Sequence, residues 1–256
     1  MIAGAAFFLP IASPVLAKTS HQQDAKEAPA IDPDAMDALN KMGVYLRTLK
    51  AFQVIADVST DNVLEDGQTI QFSSKVDMVA ARPNRMRIQV TADDGQRLFF
   101  FDGKNFTIFG QTVNYYATVP APATIAELAD ALQNKYDIEL PLVDLFQWGT
   151  NDTNIQKIKA AVDIGPSSVE GVTCEQYAFR QEGVDWQIWI ELGDFPLPRK
   201  LVIRTLTDDA KPQHREVLTW NLAPSFSDNA FTFDPPPDAH RIAIETVNAQ
   251  ATNKSQ

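Results

Sequence analysis

Acidic-glycine pairs lie between apolar runs along the chain, and they constrain the fold more than any other feature. The strong examples are Asp66-Gly67, Asp94-Gly95 and Asp102-Gly103, and weaker ones are Glu170-Gly171 and Glu182-Gly183. Asp-Gly supplies the positive backbone dihedrals that tight β-hairpins need. Because parallel strands need long crossovers instead, the pairs predict a meandering antiparallel sheet.

The runs between these turns alternate apolar and polar residues, which is typical of half-buried strands. In the first run Phe52, Val54 and Ala56 alternate with Gln53 and Asp57. About ten or eleven strands are expected, and a sheet of that size tends to curl. The later candidates are Ala161–Ile164, Val172–Arg180, Val184–Leu192, Lys200–Leu206, Arg215–Leu222 and Phe231–Phe233.

Helical patterns occur before the sheet and in its middle. Asp32-Pro33 is a cap followed by proline at the first helical position, and apolar residues then recur at helical spacing to Leu49. Thr124 and Glu127 have capping-box spacing, and a short helix is expected from Pro141 to Trp148, ended by Gly149. These helices are expected to cover the apolar inner face of one strongly curved sheet, in a fold that is mainly β with α.

The first 17 residues are apolar or small and lead to Val15-Leu16-Ala17, which fits a secretory signal cleaved after Ala17. A membrane anchor is disfavoured because Pro10 and Pro14 interrupt a short stretch. Residues 18–31 and 248–256 are interpreted as a disordered linker and tail. We therefore expect a periplasmic protein.

Charge and cysteine content exclude several classes. Asp and Glu outnumber Lys and Arg by 33 to 22, for a net charge of -11. This disfavours nucleic acid as a partner and simple adhesion to an anionic lipid surface. Cys174 is the single cysteine, so no internal disulfide can form.

Catalytic and metal motifs are weak. The sequence has no Gly-x-Ser-x-Gly and no phosphate-binding glycine loop. His214 and Glu216 could share a strand face, but two ligands do not make a metal site, and a solvated strand end is the favoured interpretation. Cys174 is interpreted as a buried structural thiol. The prediction is a protein that is not an enzyme and has no cofactor or metal.

Aromatic residues point to binding. Phe99, Phe100 and Phe101 place apolar bulk on both faces of one strand, and Trp186 and Trp189 also point to opposite faces. Both faces therefore need cover from a helix, a partner or a ligand. Plain packing between sheet and helices is the alternative, and it explains most of the aromatics.

Five motifs follow one another along the chain. They are Arg82-Pro83-Asn84 before Met86–Val90, Phe101-Asp102-Gly103-Lys104, Tyr115–Pro120, Asp185–Ile190, and the closing segment Phe231-Thr232-Phe233-Asp234-Pro235-Pro236. In this order they resemble the outer-membrane lipoprotein carrier superfamily (LolA/LolB-like), and most closely its uncharacterised predicted periplasmic members. The resemblance covers about residues 32–247 and includes the half-barrel domain that it implies.

The resemblance implies an unclosed barrel plugged by helices, which binds lipid acyl chains in its concavity. It also implies that Arg82 hydrogen-bonds to a helical lid and holds the empty cavity closed. The residues predicted to contact the ligand in the apolar concavity are Phe52, Phe72, Met78, Ile88, Phe99, Phe101, Trp148, Trp186 and Trp220.

The leading hypothesis is a monomeric periplasmic binding or carrier protein for an acyl chain, a lipidated protein or another apolar ligand. One alternative is an envelope structural or protein-interaction module whose helices fill the sheet permanently. The less favoured alternative is a hydrolase.

Overall fold

The computed structural model describes residues 31–148 and 155–247. Twelve strands form one sheet with two free edges, in the order β12-β6-β5-β4-β3-β2-β1-β11-β10-β9-β8-β7. This confirms the predicted fold class, a mainly β protein built on one unclosed antiparallel sheet with an N-terminal helix. The elements are α1 (Pro33–Thr48), β1 (Ala51–Val63), β2 (Thr69–Ala81), β3 (Arg85–Ala92), β4 (Gly95–Phe101), β5 (Asn105–Gly110), β6 (Tyr115–Pro120), α2 (Ile125–Tyr136), α3 (Asp144–Gln147), β7 (Ala160–Val169), β8 (Val172–Gln181), β9 (Val184–Glu191), β10 (Pro198–Thr205), β11 (Gln213–Asn221) and β12 (His240–Arg241), with 3₁₀ turns at Ile155–Lys157 and Asp228–Phe231.

The predicted signal peptide (1–17), the tail (248–256), Gly149 and all but the last residue of the predicted linker (18–31) lie outside the described residues. Ile31, the last residue of that linker, forms a β-bridge with Ala161. No helix in the described part of the chain is long and apolar enough to cross a membrane.

Each of the five acidic-glycine pairs lies at the junction of two adjacent antiparallel strands, as predicted, and Gly95 is itself the first residue of β4. Gly67 and Gly103 have φ of 84° and 94°, in the region that favours glycine. The strand count is twelve rather than ten or eleven, because the two-residue β12 carries no alternation that the sequence could reveal.

The sheet consists of two meanders rather than the predicted one. Strands β1 to β6 run to one edge and β7 to β11 start at the other, and the two series meet where β1 pairs with β11, from Gln53↔Asn221 to Thr60↔His214. Turn chemistry fixes the partners within each hairpin but not the strand that a returning chain joins. The chain between β6 and β7 therefore leaves the sheet at one edge and rejoins it at the other, and its described residues 121–148 place α2 and α3 on the concave face.

The helix starts follow the sequence signals. Asp32 caps α1 by accepting a hydrogen bond from the Asp34 amide at 2.9 Å, and Thr124 and Glu127 form the reciprocal capping box of α2. The predicted helix from Pro141 to Trp148 is shorter than expected. Leu142 has a φ of 59°, so the chain turns there and α3 begins only at Asp144.

The predicted strand Phe231–Phe233 is wrong. The chain forms a 3₁₀ turn that ends at Phe231, and Phe233 packs against Phe100, Phe109 and Tyr116 with ring centroids 5.1 to 5.4 Å apart. These contacts draw the segment across the sheet instead of along it. The outer-face side chain Phe100 is thus covered by the chain's own C-terminal segment, which continues into β12, parallel to β6.

Candidate ligand-binding site

The concave face has two halves, and the first is sealed where α2 and α3 lie on it. In this β1–β6 half, α2 and α3 pack against the sheet with their apolar side chains, and the Phe146 ring lies 5.7 Å from the Phe52 ring. Five predicted ligand contacts lie here, each no more than 6% exposed: Phe52, Met78, Ile88, Phe99 and Phe101. In this structure they stabilise the helical cover, and a ligand reaches them only when that cover moves.

The second half, over β7–β11, is covered by α1 but not filled. Leu39, Met42 and Leu46 of α1 belong to the same core cluster as Phe179 and Ile188 of the sheet. A cavity of about 250 Å³ remains beside α3, here called the tryptophan cavity. It is lined by Asp144, Gln147, Trp148, Ile155, Ile158, Gln181, Val184, Trp186, Leu201 and Ile203.

Two of the predicted ligand contacts line this cavity. The rings of Trp148 and Trp186 lie 5.6 Å apart, and Trp186 stacks on Phe179 at 4.2 Å. The indole Nε1 of Trp186 is buried without a hydrogen-bond partner among the described residues. A buried donor without a partner lowers the stability of the fold. This wall of the cavity therefore has an N–H group that a ligand oxygen could accept from.

A second cavity, of about 500 Å³, adjoins the first and is here called the groove. It extends over both halves, from β10 and β11 to the part of β1, β2 and β3 that the helices do not seal. The segment 139–144 covers it, and it shares Asp144, Leu201 and Ile203 with the tryptophan cavity. Its other walls are mainly aliphatic, with one polar cluster. They comprise Val58, Thr60, Ser74, Val76, Val90, Glu139, Leu140, Pro141, Leu142, Val143, His214 and Glu216.

The polar cluster of the groove is centred on His214. Its Nε2 donates to Glu216 Oε1 at 3.0 Å, and its Nδ1 shares a hydrogen bond of 2.8 Å with the Thr60 hydroxyl. The Glu216 carboxylate raises the pKa of His214 by this hydrogen bond, and burial opposes the rise. The sequence correctly placed His214 and Glu216 on one face, and the described residues contain no group of three metal-binding side chains.

A hydroxyl, an imidazole and a carboxylate in a row invite comparison with a hydrolytic triad. Thr60, however, lies within β1 and pairs with His214 of β11 on one side and Phe72 of β2 on the other. Backbone amides in such a ladder are not free to stabilise an oxyanion. The cluster is therefore better suited to polar recognition than to acyl transfer.

Arg82 lies between two helices, in contact with the lid that the resemblance implies. Its Nη2 donates to the carbonyl oxygens of Leu46 and Leu145, each at 3.5 Å, and its guanidinium lies 4.8 Å from the Phe146 ring centre. Burial, and secondly the charge of Arg47, lowers its pKa. Arg82 Nε is buried without a partner among the described residues. Arg82 thus joins α1 to α3 through long hydrogen bonds and at a desolvation cost.

Two predicted contacts have other surroundings. Trp220 is half-buried, donates from Nε1 to the Pro198 carbonyl at 2.8 Å, and packs against Phe52. Phe72 is 52% exposed. By strand alternation it shares the concave side with Ser74 and Val76 of the groove, but it lies beyond the reach of the helices.

The sequence missed several lining residues, of which Val184, Leu201 and Ile203 are the clearest. Leu201 and Ile203 alternate on β10, so the pattern could have assigned them to the inner face. Nothing in the sequence tells which inner-face residues the helices cover.

The outer face accounts for two further sequence features. Cys174 is buried there, as predicted, and burial raises the pKa of its thiol. Trp189 lies in the same cluster, so Trp186 and Trp189 do occupy opposite faces. The ammonium group of Lys200 is 4.1 Å from the Trp189 ring centre.

The fold is thus an unclosed half-barrel with helices on its concave face, an arginine between those helices and apolar cavities beside them. The chain belongs to a family of predicted periplasmic proteins (DUF2092), whose model matches residues 35–245. No curated protein matches the sequence.

Solved structures with a similar fold share little sequence with this chain. The lipoprotein LppX of Mycobacterium tuberculosis is 10% identical, with a TM-score of 0.48 over 76% of this chain and 98% of that one. LprF from Mycobacterium bovis is 12% identical, with a TM-score of 0.46 over 82% of this chain and 100% of that one. The LolA superfamily protein NE2245 from Nitrosomonas europaea is 10% identical, with a TM-score of 0.37 over 78% of this chain and 98% of that one.

Proposed function

We propose that this protein binds and carries an apolar ligand, such as a lipid acyl chain, in the periplasm, without catalysis. The observation that carries the proposal is the pair of adjoining cavities on the concave face, beside α3. Their volumes of about 250 and 500 Å³ together lie within the roughly 300–1,000 Å³ usual for ligand pockets.

Burial of an alkyl chain in these cavities supplies the affinity. Each buried methylene contributes about 0.8 kcal/mol, so a twelve-carbon chain offers about 10 kcal/mol. With an association cost of about 4 kcal/mol, the lower end of its range, roughly 6 kcal/mol remains, a dissociation constant on the order of 0.1 mM. The tryptophan cavity offers apolar walls such as Ile155, Ile158 and Val184, and the groove adds Val58, Val76 and Val90.

The segment from Leu140 to Trp148 is the proposed lid. It contributes to the walls of both cavities, and Arg82 holds Leu145 by a hydrogen bond of 3.5 Å. Two buried donors near it, Arg82 Nε and Trp186 Nε1, have no partner among the described residues. Movement of the lid would expose Phe52, Ile88 and Phe101 to a longer ligand, whose apolar surface would replace the contacts that Leu145 and Phe146 now make.

Displacement of N-phenyl-1-naphthylamine, an uncharged probe that fluoresces in apolar sites, tests the proposal. The delipidated protein is expected to bind the probe saturably, and dodecanol is expected to displace it. Native mass spectrometry of protein purified from a bacterium is expected to show a retained lipid. A clean apo mass together with no saturable probe binding would refute the carrier function.

A matched pair of variants locates the binding. Ile203→Trp adds bulk where the two cavities meet, and it is expected to weaken probe binding at least about tenfold, the equivalent of 1.4 kcal/mol. Ile164→Trp makes the same change on β7, at a side chain that is 54% exposed, and it is expected to leave binding unchanged. Equal binding by both variants would place the ligand elsewhere.

The sealed part of the β1–β6 half, under α2 and α3, favours a second candidate, an envelope interaction module whose helices are permanent cover. Under that function the lid never opens and no alkyl chain enters. The same probe titration separates the two candidates, because the interaction module binds no alkyl ligand.

A further inference from the structure

The charges around the two cavities have one sign. The lining contains the carboxylates Glu139, Asp144 and Glu216 together with the imidazole of His214. No Lys or Arg belongs to the described lining of either cavity. The polar groups that a ligand head would meet are therefore mainly acidic.

Strand alternation explains why basic residues are absent from these walls. On β10, Leu201 and Ile203 face the cavities, so Lys200 faces outward and lies over Trp189. On β11, His214 and Glu216 face the groove, so Arg215 faces outward and lines the opposite side of the sheet. On these two strands the basic residues next to the lining positions thus carry their charge away from the ligand.

The imidazole does not reverse the sign. Glu139 and Glu216 alone contribute two formal negative charges, and protonated His214 contributes one positive charge, so the lining stays acidic whether the imidazole is neutral or protonated. Two unit charges about 4 Å apart interact by roughly 1 kcal/mol in water and by several times more in a partly buried site. An anionic head group would meet repulsion at either protonation state.

We propose that the paired cavities select amphiphiles whose polar end is uncharged or cationic and disfavour those with an anionic end. This inference rests on the proposed function and names its ligand class: neutral esters and alcohols, or alkyl amines, rather than free fatty acids. Hydroxyls and ester oxygens can hydrogen-bond with the Thr60–His214–Glu216 cluster without charge repulsion, and an ammonium group is attracted to it.

Three ligands of one chain length test the selection. Dodecylamine, dodecanol and dodecanoate would each displace N-phenyl-1-naphthylamine at pH 7 and low salt. Dodecanoate is expected to bind at least about fivefold more weakly than dodecanol, and dodecylamine at least as tightly as dodecanol. The difference is expected to shrink at 1 M salt, where the screening length falls to about 3 Å.

Two double variants with the same change in net charge provide the control. Glu139→Gln with Glu216→Gln is expected to improve dodecanoate binding several-fold relative to dodecanol. Glu170→Gln with Glu245→Gln, at exposed positions that line neither cavity, is expected to leave the ratio unchanged.

The outcomes separate this inference from the function on which it rests. Saturable binding with dodecanoate equal to or tighter than dodecanol would overturn the charge selection and leave the carrier function standing. An equal response of the ratio to both double variants would also overturn it, since the effect would then come from net charge alone. Absence of probe binding would overturn the carrier function itself.

Discussion

The two halves of the concave face carry similar apolar side chains, which form a packed core under α2 and α3 and a cavity wall over β7–β11. Over β1–β6, helices α2 and α3 press Leu128 and Phe146 onto Phe52 and Phe101, and the largest residues are fully buried. Over β7–β11, α1 ends at Thr48 and α3 is only four residues long, so a cavity remains at Trp148 and Trp186. An aromatic residue on the inner face is thus core or cavity wall according to what the helices supply, not according to the strand that carries it.

Truncation of a core side chain in the sealed half is expected to have the largest effect. Phe101→Ala removes a ring that is fully buried, and it should lower the free energy of unfolding by about 3–5 kcal/mol. Val184→Ala, in the wall of the tryptophan cavity, should lower the free energy of unfolding by no more than about 1 kcal/mol, because this side chain is only half-buried and faces the cavity. Guanidinium chloride unfolding of both variants measures the contrast, and equal losses would mean that the two halves do not differ.

The Arg82 latch gives the next largest effect. Arg82→Met keeps an apolar stem but removes the hydrogen bonds to Leu46 and Leu145. Global stability should change by no more than about 1 kcal/mol, because relief of the desolvation cost offsets the lost bonds. Amide exchange at residues 144–148 should be up to about tenfold faster, as hydrogen-exchange mass spectrometry would show.

Arg87→Met is the matched control. Arg87 lies on β3, close in sequence to Arg82, but its side chain points to the outer face of the sheet. This variant should leave exchange at 144–148 unchanged. Unaltered exchange in Arg82→Met would show that Arg82 does not hold the lid.

The smallest effect concerns pH. The folded protein raises the pKa of His214, mainly through its hydrogen bond to Glu216. The stability that this pair contributes is therefore fully present below the unfolded value of about 6.5 and is lost as pH rises through the folded pKa. The advantage of wild type over His214→Gln should be larger at pH 5.5 than at pH 8.5, by less than about 1 kcal/mol because solvent screens the pair.

Unfolding curves of the two proteins at both pH values, in low salt, measure this difference. A gap between them that widens toward pH 8.5 would contradict the assignment of the His214–Glu216 pair.

Local chemistry explains how much of the fold the sequence could predict. Asp-Gly turns and two-residue periodicity encode neighbouring strands, and Thr124 with Glu127 encodes a helix start, so the antiparallel sheet and the helical insertion were predictable. The β1–β11 pairing and the parallel β12 are long-range choices that no local pattern encodes. Phe231 and Phe233 have the alternation of a strand, yet tertiary aromatic contacts determine their conformation.

The sequence could predict the apolar character of the candidate site but not its position on the concave face. An apolar concave face with Trp148 and Trp186 could be inferred from alternation and from the family resemblance. Which part of that face the helices leave open depends on the length of α3, and Leu142, with its positive φ, shortens that helix. Phe52 and Ile203 therefore look alike in the sequence, although one is core and the other lines a cavity.

Quenching of tryptophan fluorescence by a bromine-labelled dodecanol tests the central claim most directly. Trp148 and Trp186 line the cavity, whereas Trp189 is on the outer face and Trp220 packs against Phe52. The account predicts saturable quenching of the wild type and almost none in a Trp148→Phe, Trp186→Phe double variant that still binds dodecanol. Undiminished quenching in the double variant, or none in the wild type, would contradict it.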